Sequence, residues 1–186
     1  MKISQLKPLS NTSLQVYLGT GIHTLGLLGW ILKQVGRADV YVTTFSTSEE
    51  FLTGFLNLRK KGLIRHSMLL ADLKAAKKTV KLNHLMACCF DDVYLGLNHS
   101  KILLVKTESG KTVSVITSQN NTYGGRNECS MVITDPDVFH DLHDGLKEII
   151  KNSVLLDGLF GQTTERDRES GSGTDSTFGD IRPFGY

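Results

Sequence analysis

Cysteine, proline and tryptophan are scarce in this chain. Of its 186 residues, three are cysteine, three are proline and one is tryptophan. The three cysteines, Cys88, Cys89 and Cys129, cannot all pair and show no metal-ligand spacing, so neither a disulfide scaffold nor a zinc site is expected. We expect reduced, buried cysteines that act as small apolar side chains, which is typical of a cytoplasmic protein.

Long apolar runs are also absent from the sequence. No run approaches the roughly 20 residues that a membrane-spanning helix needs, and residues 1–18 lack the apolar core of a signal peptide. Hydrophobic residues make up 40% of the chain and charged residues 22%, both ordinary for a soluble domain. We therefore predict a cytoplasmic protein with one folded domain, residues 1–161, and no membrane partner.

The basic residues are unevenly distributed, although the net charge is only +2. Between residues 59 and 81 a single acid, Asp72, stands among eight basic residues: Arg59, Lys60, Lys61, Arg65, Lys74, Lys77, Lys78 and Lys81. Such a run is typical of a solvated helix face, and it is also typical of a surface that binds polyphosphates. The residues predicted to bind substrate are Arg59, Lys60, Lys61, Lys74, Lys77 and Lys78.

Strand and helix patterns alternate in the first half of the chain. Strands are predicted at 14–19, 39–45 and 63–70, and helices at 24–35, 49–61 and 72–81. Gly36 and Gly62 predict the ends of the first two helices, and Ser48 predicts the start of the second. This order implies parallel strands joined by right-handed crossovers.

The second half has a different pattern. Strands are predicted at 85–94, 101–106, 112–118 and 128–134, with a hairpin turn at 108–110 and a helix at 136–152. The predicted fold is therefore α/β, with helices flanking a mixed β-sheet. Residues 162–186 make an acidic, Gly/Ser-rich tail with few apolar side chains, which we predict to be disordered.

The strongest functional signal begins at His99 and Lys101. Residues two apart in an extended chain project to the same side, so these two side chains are expected to lie next to each other. An imidazole beside a fixed cation suits attack on a phosphodiester. On its own a His-x-Lys triplet is weak evidence, because ordinary surface strands also contain it.

Polar residues farther along the chain strengthen this signal. The predicted hairpin returns Ser118, Asn120 and Asn121 toward the His99 end of the sheet, and Glu128 opens the next strand. We also expect the polar segment 43–48, at the carboxyl end of a predicted strand, to border the same site. Histidine, lysine, serine, asparagine and glutamate are thus predicted to converge at one end of the sheet.

The order of these residues resembles the active-site motif of the phospholipase D superfamily, and is closest to its short nuclease branch with a single motif. The resemblance implies a phospholipase D-like fold. It also implies a set of catalytic residues: His99, Lys101, Ser118, Asn120 and Glu128. Asn121 takes the place of Asn120 if the loop is aligned one residue later. Two positions depart from the family motif, since Lys106 stands where it has aspartate and Thr117 where it has glycine.

The resemblance also implies a two-step phosphoryl transfer without metal or other cofactor. One His99 attacks phosphorus to form a phosphohistidine, and a second histidine protonates the leaving oxygen. Lys101 and Asn120 would hold the phosphoryl oxygens, and Glu128 would orient the histidine. Because the five other histidines lack the motif and are expected to be structural or on the surface, we predict a homodimer in which two motifs face each other.

The leading functional prediction is a metal-independent endonuclease that hydrolyses DNA or RNA. The aromatic residues are scattered and suggest no base-stacking platform, so little sequence specificity is expected. Two alternatives remain open. A phospholipid hydrolase is less well supported, because no amphipathic membrane-binding helix is evident. A catalytically impaired relative that binds nucleic acid or acts as a scaffold is suggested by Lys106 and Thr117.

Overall fold

The computed structural model describes residues 3–75 and 80–156 of the chain. The strands are β1 (Leu14–Gly19), β2 (Ala38–Thr44), β3 (Ile64–Asp72), β4 (Asp92–Gly96), β5 (Ile102–Thr107), β6 (Thr112–Thr117), β7 (Glu128–Ile133) and β8 (Val154–Leu155). The α-helices are α1 (Thr24–Val35), α2 (Glu49–Lys60), α3 (Asn83–Cys89) and α4 (Pro136–Lys151). Short 3-10 helices cover Ile3–Gln5, Leu9–Asn11, Leu73–Ala75 and Val80–Leu82.

The strands of the described residues form one mixed sheet in the order β1-β7-β6-β5-β2-β3-β4-β8. Strands β2, β3 and β4 are parallel to one another, and the other neighbours are antiparallel. The carboxyl ends of β2, β3, β4 and β6 therefore meet the amino ends of β5 and β7. We call this the site end of the sheet. The predicted fold class, a mixed sheet flanked by helices, is confirmed.

Two hydrophobic clusters cover the two faces of the sheet. The larger cluster lies under α1, α2 and α3 and includes the fully buried Leu28, Ile31 and Phe55. The smaller cluster lies under α4 and includes Phe139 and Leu146. Burying each such side chain stabilises the fold by about 1.5–3 kcal/mol. The helical spacing of these residues thus decides which side of each helix faces the sheet.

The predicted boundaries of the first two helices are confirmed. The Ser48 hydroxyl accepts a hydrogen bond from the Phe51 N–H at 3.3 Å and caps the start of α2. Gly36 and Gly62 follow α1 and α2 with φ angles of +85° and +72°. Both angles lie in the left-handed region that favours glycine, which explains why each helix stops there.

The predictions for residues 72–94 are wrong in part. The 63–70 strand extends as far as Asp72, and 3-10 turns occupy the described part of the predicted 72–81 helix. The predicted 85–94 strand is helix α3 followed by β4. The physical reason is the parallel pairing of β3 with β4, because a parallel crossover needs a connection that runs back along the sheet.

This difference changes the environment of the cysteines. All three are free thiols, but only Cys89 is buried, and the prediction of buried side chains is wrong for Cys88 and Cys129. Cys88 and Cys89 lie in α3, where adjacent residues point about 100° apart around the axis. The Cys89 thiol donates to the Leu52 carbonyl oxygen at 3.1 Å, and burial raises its pKa to about 11.

Several predictions lie outside the described residues. Lys77 and Lys78 fall in the range 76–79, and the predicted disordered tail falls in the range 157–186. At the end of the described chain, the Leu156 N–H donates to the Val93 carbonyl oxygen at 2.8 Å, next to the pairing of β8 with β4. Within the two described ranges, every helix is too short or too polar to cross a lipid bilayer.

The cluster under α4 contains a partly buried histidine, His143. Its ring stacks on Phe139, with the ring centroids 5.5 Å apart, and meets Tyr41 edge-on at 4.7 Å. Burial, and then the positive charge of Lys147, lower the pKa of His143 below its ordinary value of 6.5. The folded state therefore favours the neutral ring, whereas the unfolded chain takes up a proton below about pH 6.5.

We expect the free energy of unfolding to decrease as the pH falls below about 6.5, because the unfolded state binds more protons there. His143→Gln should remove part of this decrease. His140→Gln is the control, since His140 is exposed on the same helix. Urea denaturation at about pH 7.5 and about pH 5 measures the effect. An identical pH dependence in wild type and His143→Gln would contradict it.

Candidate active site

His99 and Lys101 lie in the link between β4 and β5, just before β5 begins at Ile102. Lys101 Nζ donates to the His99 carbonyl oxygen at 2.8 Å and lies 3.3 Å from His99 Nδ1. The exposed His99 ring lies against Phe45, with ring centroids 5.2 Å apart. The two side chains are therefore adjacent, although the strand that was predicted to begin at Lys101 begins at Ile102.

Hydrogen bonds to the end of β2 hold this link in place. Asn98 Nδ2 donates to the Thr44 carbonyl oxygen at 3.2 Å, and Asn98 Oδ1 accepts from the Ser100 N–H at 3.2 Å and from its hydroxyl. The Ser100 hydroxyl also lies 2.8 Å from Thr43 Oγ1. The residues on both sides of His99 are thus fixed to β2.

A buried carboxylate at the end of β3 holds the link from the other side. Asp72 is only 5% exposed. Its Oδ2 accepts from the Asn98 N–H at 2.9 Å, and its Oδ1 accepts from the Lys74 N–H at 2.7 Å. One side chain therefore positions the backbone next to His99 and the turn that carries Lys74.

Replacing Asp72 by alanine should leave the buried Asn98 N–H without an acceptor. We expect a loss of about 1–3 kcal/mol in the free energy of unfolding, the usual penalty for one buried unsatisfied group, together with a displaced His99 link. Urea denaturation gives the stability. Asp141→Ala is the control, because Asp141 is exposed on α4. If the two variants lose the same small amount of stability, Asp72 does not hold the link.

Ser118 and Glu128 form a second polar pair at the site end. The Ser118 hydroxyl donates to Glu128 Oε2, and its oxygen accepts from the Cys129 N–H at 3.0 Å. The Thr117 N–H donates to the Lys101 carbonyl oxygen at 3.0 Å, which brings the end of β6 next to the motif lysine. The contact that Glu128 makes here is with Ser118, and its predicted role in orienting the histidine stays a prediction.

Asn120 and Asn121 turn inward beside this pair. Asn121 is 3% exposed, its N–H donates to Thr44 Oγ1 at 3.2 Å, and its carbonyl oxygen accepts from the Ser48 N–H at 2.9 Å. Asn120 Oδ1 and Asn121 Nδ2 are buried without a hydrogen-bond partner in the described protein. Since buried polar atoms are normally paired, one amide acceptor and one amide donor are left unsatisfied beside the Ser118–Glu128 pair.

The predicted basic residues divide between two ends of the sheet. Helix α2 starts at the site end, so Arg59, Lys60 and Lys61 lie about 16 Å away at its other end. Arg59 donates to the Cys89 carbonyl oxygen at 3.0 Å and pairs with Asp91. These three residues are not part of the His99 cluster, and any contact with substrate stays a prediction.

Lys74, in contrast, lies at the site end. It is exposed, and it follows β3 by two residues. Its side chain therefore provides positive charge on the same end of the sheet as Lys101. Within residues 3–75 and 80–156, no group of three or more His, Cys, Asp or Glu side chains is arranged to hold a metal ion.

The two departures from the motif have different positions. Lys106 lies at the far end of β5, opposite Asp39 and Thr112, about 13 Å along the strand from Ile102. It does not border the site. Thr117 does border it, and its hydroxyl accepts from the Gln119 N–H at 3.1 Å.

Sequence reasoning missed Asp72 and Asn98, which hold the motif. Asp72 had been assigned to a helix, so its contact with residue 98 could not be anticipated. The segment 43–48 was expected to border the site, and the structure places Thr44 and Ser48 against Asn121. The sequence signal for this segment was its predicted position at the carboxyl end of a parallel strand.

No protein-family model and no curated protein sequence matches this chain. Solved structures do resemble it. Nuc from Salmonella typhimurium, a phospholipase D family member, is 13% identical over 76% of this chain and 97% of its own, with a TM-score of 0.57. NucT from Helicobacter pylori is 12% identical over 76% of this chain and 99% of its own, also with a TM-score of 0.57.

The archaeal chromatin protein TrmBL2, described as having a novel mode of DNA binding, is 8% identical over 77% of this chain and 54% of its own, with a TM-score of 0.51. At such identities the likeness concerns the fold and not the activity. The fold implied by the His99–Glu128 motif is thereby confirmed. The chain has the phospholipase D fold.

Proposed function

We propose that this protein is a phosphodiesterase of the phospholipase D type and that it hydrolyses DNA or RNA without a metal ion. The observation that carries the proposal is the exposed imidazole of His99 beside the ammonium group of Lys101, at the carboxyl ends of parallel strands. Asn121 Nδ2, a buried amide donor without a partner in the described protein, lies at the same end. This combination supplies a nucleophile, a positive charge and hydrogen-bonding groups for a phosphate.

In the proposed reaction a ring nitrogen of His99 attacks phosphorus. An N–P bond forms, the O–P bond to the leaving nucleotide breaks, and a second histidine donates a proton to the departing oxygen. Water then attacks phosphorus and gives its proton to that second histidine, while the N–P bond breaks. Lys101 and Asn120 would stabilise the charge on the phosphoryl oxygens in both steps.

The second histidine would come from a second copy of the chain. His66 and His143 line a cleft under α4, and the ring of His23 lies within hydrogen-bond distance of Gln119. None of these three histidines has a lysine two residues later in the chain, as His99 has. A homodimer with two-fold symmetry would supply His99 from both subunits to one site.

An exposed apolar face supports this dimer. Leu14, Val16 and Leu18 alternate along the outermost strand β1 and are 50%, 58% and 78% exposed. In the sheet register, Val16 lies opposite Met131, and Met131 opposite Ile116. Contiguous exposed apolar surface of this kind marks an interaction site.

We call this surface the β1 face, and it consists of Leu14, Val16, Leu18, Ile116, Cys129 and Met131. It contains no charged residue, so it can pack against a copy of itself without burying unpaired charge. Leu18 lies opposite Cys129, next to Glu128, so the β1 face reaches the site end. Packing two such faces about a two-fold axis would bring two sites together.

A nucleic acid is favoured as substrate by charge and by one fold neighbour. Lys74 and Lys101 place positive charge at the site end, which attracts a polyanionic backbone. TrmBL2, which shares the fold, is described as binding DNA.

The test is cleavage of single- and double-stranded DNA and RNA in the presence of EDTA, with the mass in solution measured in parallel. Cleavage by a dimer in EDTA is the expected result. A folded protein that cleaves none of the four nucleic acids would refute the proposal. Cleavage that stops in EDTA would refute the metal-free mechanism.

A further inference from the structure

The loop after β6 places an aromatic pair beside the site. The rings of His23 and Tyr123 come from positions 100 residues apart in the chain, and their centroids lie 4.6 Å apart at an interplanar angle of 54°. Tyr123 is 53% exposed, which is unusual for a large ring. One side of the pair is therefore available to another flat group.

Gln119 fixes this pair to the rest of the fold. The buried Gln119 Oε1 accepts from the Thr24 N–H at 2.8 Å, and its Nε2 lies 3.2 Å from His23 Nδ1. His23 stands at the start of α1, where its side chain makes no capping hydrogen bond. The imidazole thus supports Tyr123 instead of the helix end.

The pair is contiguous with the motif residues. His23, Tyr123, Asn120 and Asn121 line one small depression, and each of the two asparagines has one buried amide atom without a partner in the described protein. Arg126 is exposed on the same loop and provides a further cation. A flat ring, hydrogen-bonding groups and a positive charge are the three components of a nucleotide-binding surface.

We infer that Tyr123, backed by His23, is a stacking site for an unpaired nucleobase next to the phosphate bound at His99. The inference rests on the proposed nuclease function and specifies its substrate as single-stranded nucleic acid. A base inside a duplex is stacked on its neighbours and cannot lie on Tyr123 without being extruded. Such a platform could not be predicted from the sequence, because its two rings come from distant segments.

The test is binding of a fluorescent single-stranded DNA oligonucleotide by the full-length His99→Ala protein, in which cleavage is blocked. Adding Tyr123→Ala should weaken binding by about 5- to 150-fold, the range expected for loss of one stacked base. Tyr123→Phe keeps the ring and should bind like the parent. An oligonucleotide of the same length with abasic sites, and a duplex, should show little dependence on Tyr123.

Leu97→Ala is the matched control, since Leu97 is 77% exposed at the same end of the sheet but has no ring. Circular dichroism checks that every variant is folded. Equal binding by the Tyr123→Ala protein and its parent would overturn the inference, as would equal losses for normal and abasic strands or the absence of any binding to single strands.

The outcomes separate this inference from the proposed function. If the wild-type protein cleaves nucleic acid but Tyr123→Ala binds normally, the function stands and the stacking site is refuted. If no cleavage occurs but single strands bind with the expected dependence on Tyr123, the stacking site stands in a protein that binds without cleaving.

Discussion

Replacing His99 by alanine should reduce phosphodiester cleavage by about 10⁴-fold or more, because the covalent intermediate can no longer form. The fold should be unaffected, since the His99 ring is exposed and its neighbours Asn98 and Ser100 make the structural hydrogen bonds. Initial rates on a labelled single-stranded oligonucleotide in EDTA give the comparison. His140→Ala, on the exposed side of α4, should retain wild-type rates.

The intermediate itself gives a second measurement for the same variant. Wild-type protein quenched at alkaline pH during turnover should carry a covalently attached nucleotide strand, visible as a shifted band after denaturing electrophoresis. The band should be absent for His99→Ala. Normal cleavage by His99→Ala would contradict the assignment directly. Loss of cleavage by His140→Ala to the same extent would mean that the assay reports stability and not chemistry.

Replacing Val16 by aspartate should separate the proposed dimer and abolish cleavage with it. Each subunit would bury one unpaired carboxylate at the interface, at an expected cost of several kcal/mol per charge. We therefore expect the dissociation constant of the dimer to increase by about 100-fold or more. Because Val16 is 58% exposed, the monomer itself should remain folded.

Analytical ultracentrifugation over a range of concentrations measures the effect. Val154→Asp is the control: Val154 is also about half exposed, at 49%, but it lies on β8 at the opposite edge of the sheet. It should leave both mass and cleavage unchanged. A Val16→Asp protein that remains dimeric would exclude the β1 face. A wild-type protein that is monomeric while it cleaves would exclude the dimeric mechanism.

Local sequence signals were sufficient for much of the fold. The strand at 14–19 and the helix at 24–35 were predicted with the boundaries observed, because alternation and helical spacing are unambiguous there. The prediction for segment 85–94 was wrong for the opposite reason. Its apolar run is compatible with both periodicities, and the choice of helix α3 depends on packing against α2 and on the crossover to β4, which the sequence does not display.

The contacts of the candidate site likewise divide into those that could be predicted from the sequence and those that could not. The pairing of His99 with Lys101 could be predicted because two residues in sequence determine it. The support from Asp72, and the meeting of His23 with Tyr123, could not be predicted, because both depend on how distant elements pack at the site end. A sequence motif therefore identifies the groups that are proposed to react. It does not identify the groups that hold those side chains in place or lie next to them.

The contact between Lys101 Nζ and His99 Nδ1 has a chemical consequence. An ammonium group can only donate hydrogen bonds, so Nδ1 accepts, and the proton of the neutral ring is then on Nε2. In this state neither nitrogen presents a free lone pair to phosphorus. An anion that draws Lys101 away would release Nδ1, and in the proposed reaction the phosphate is such an anion. In the proposed enzyme the imidazole would therefore be masked at rest, and arrival of the substrate would unmask it.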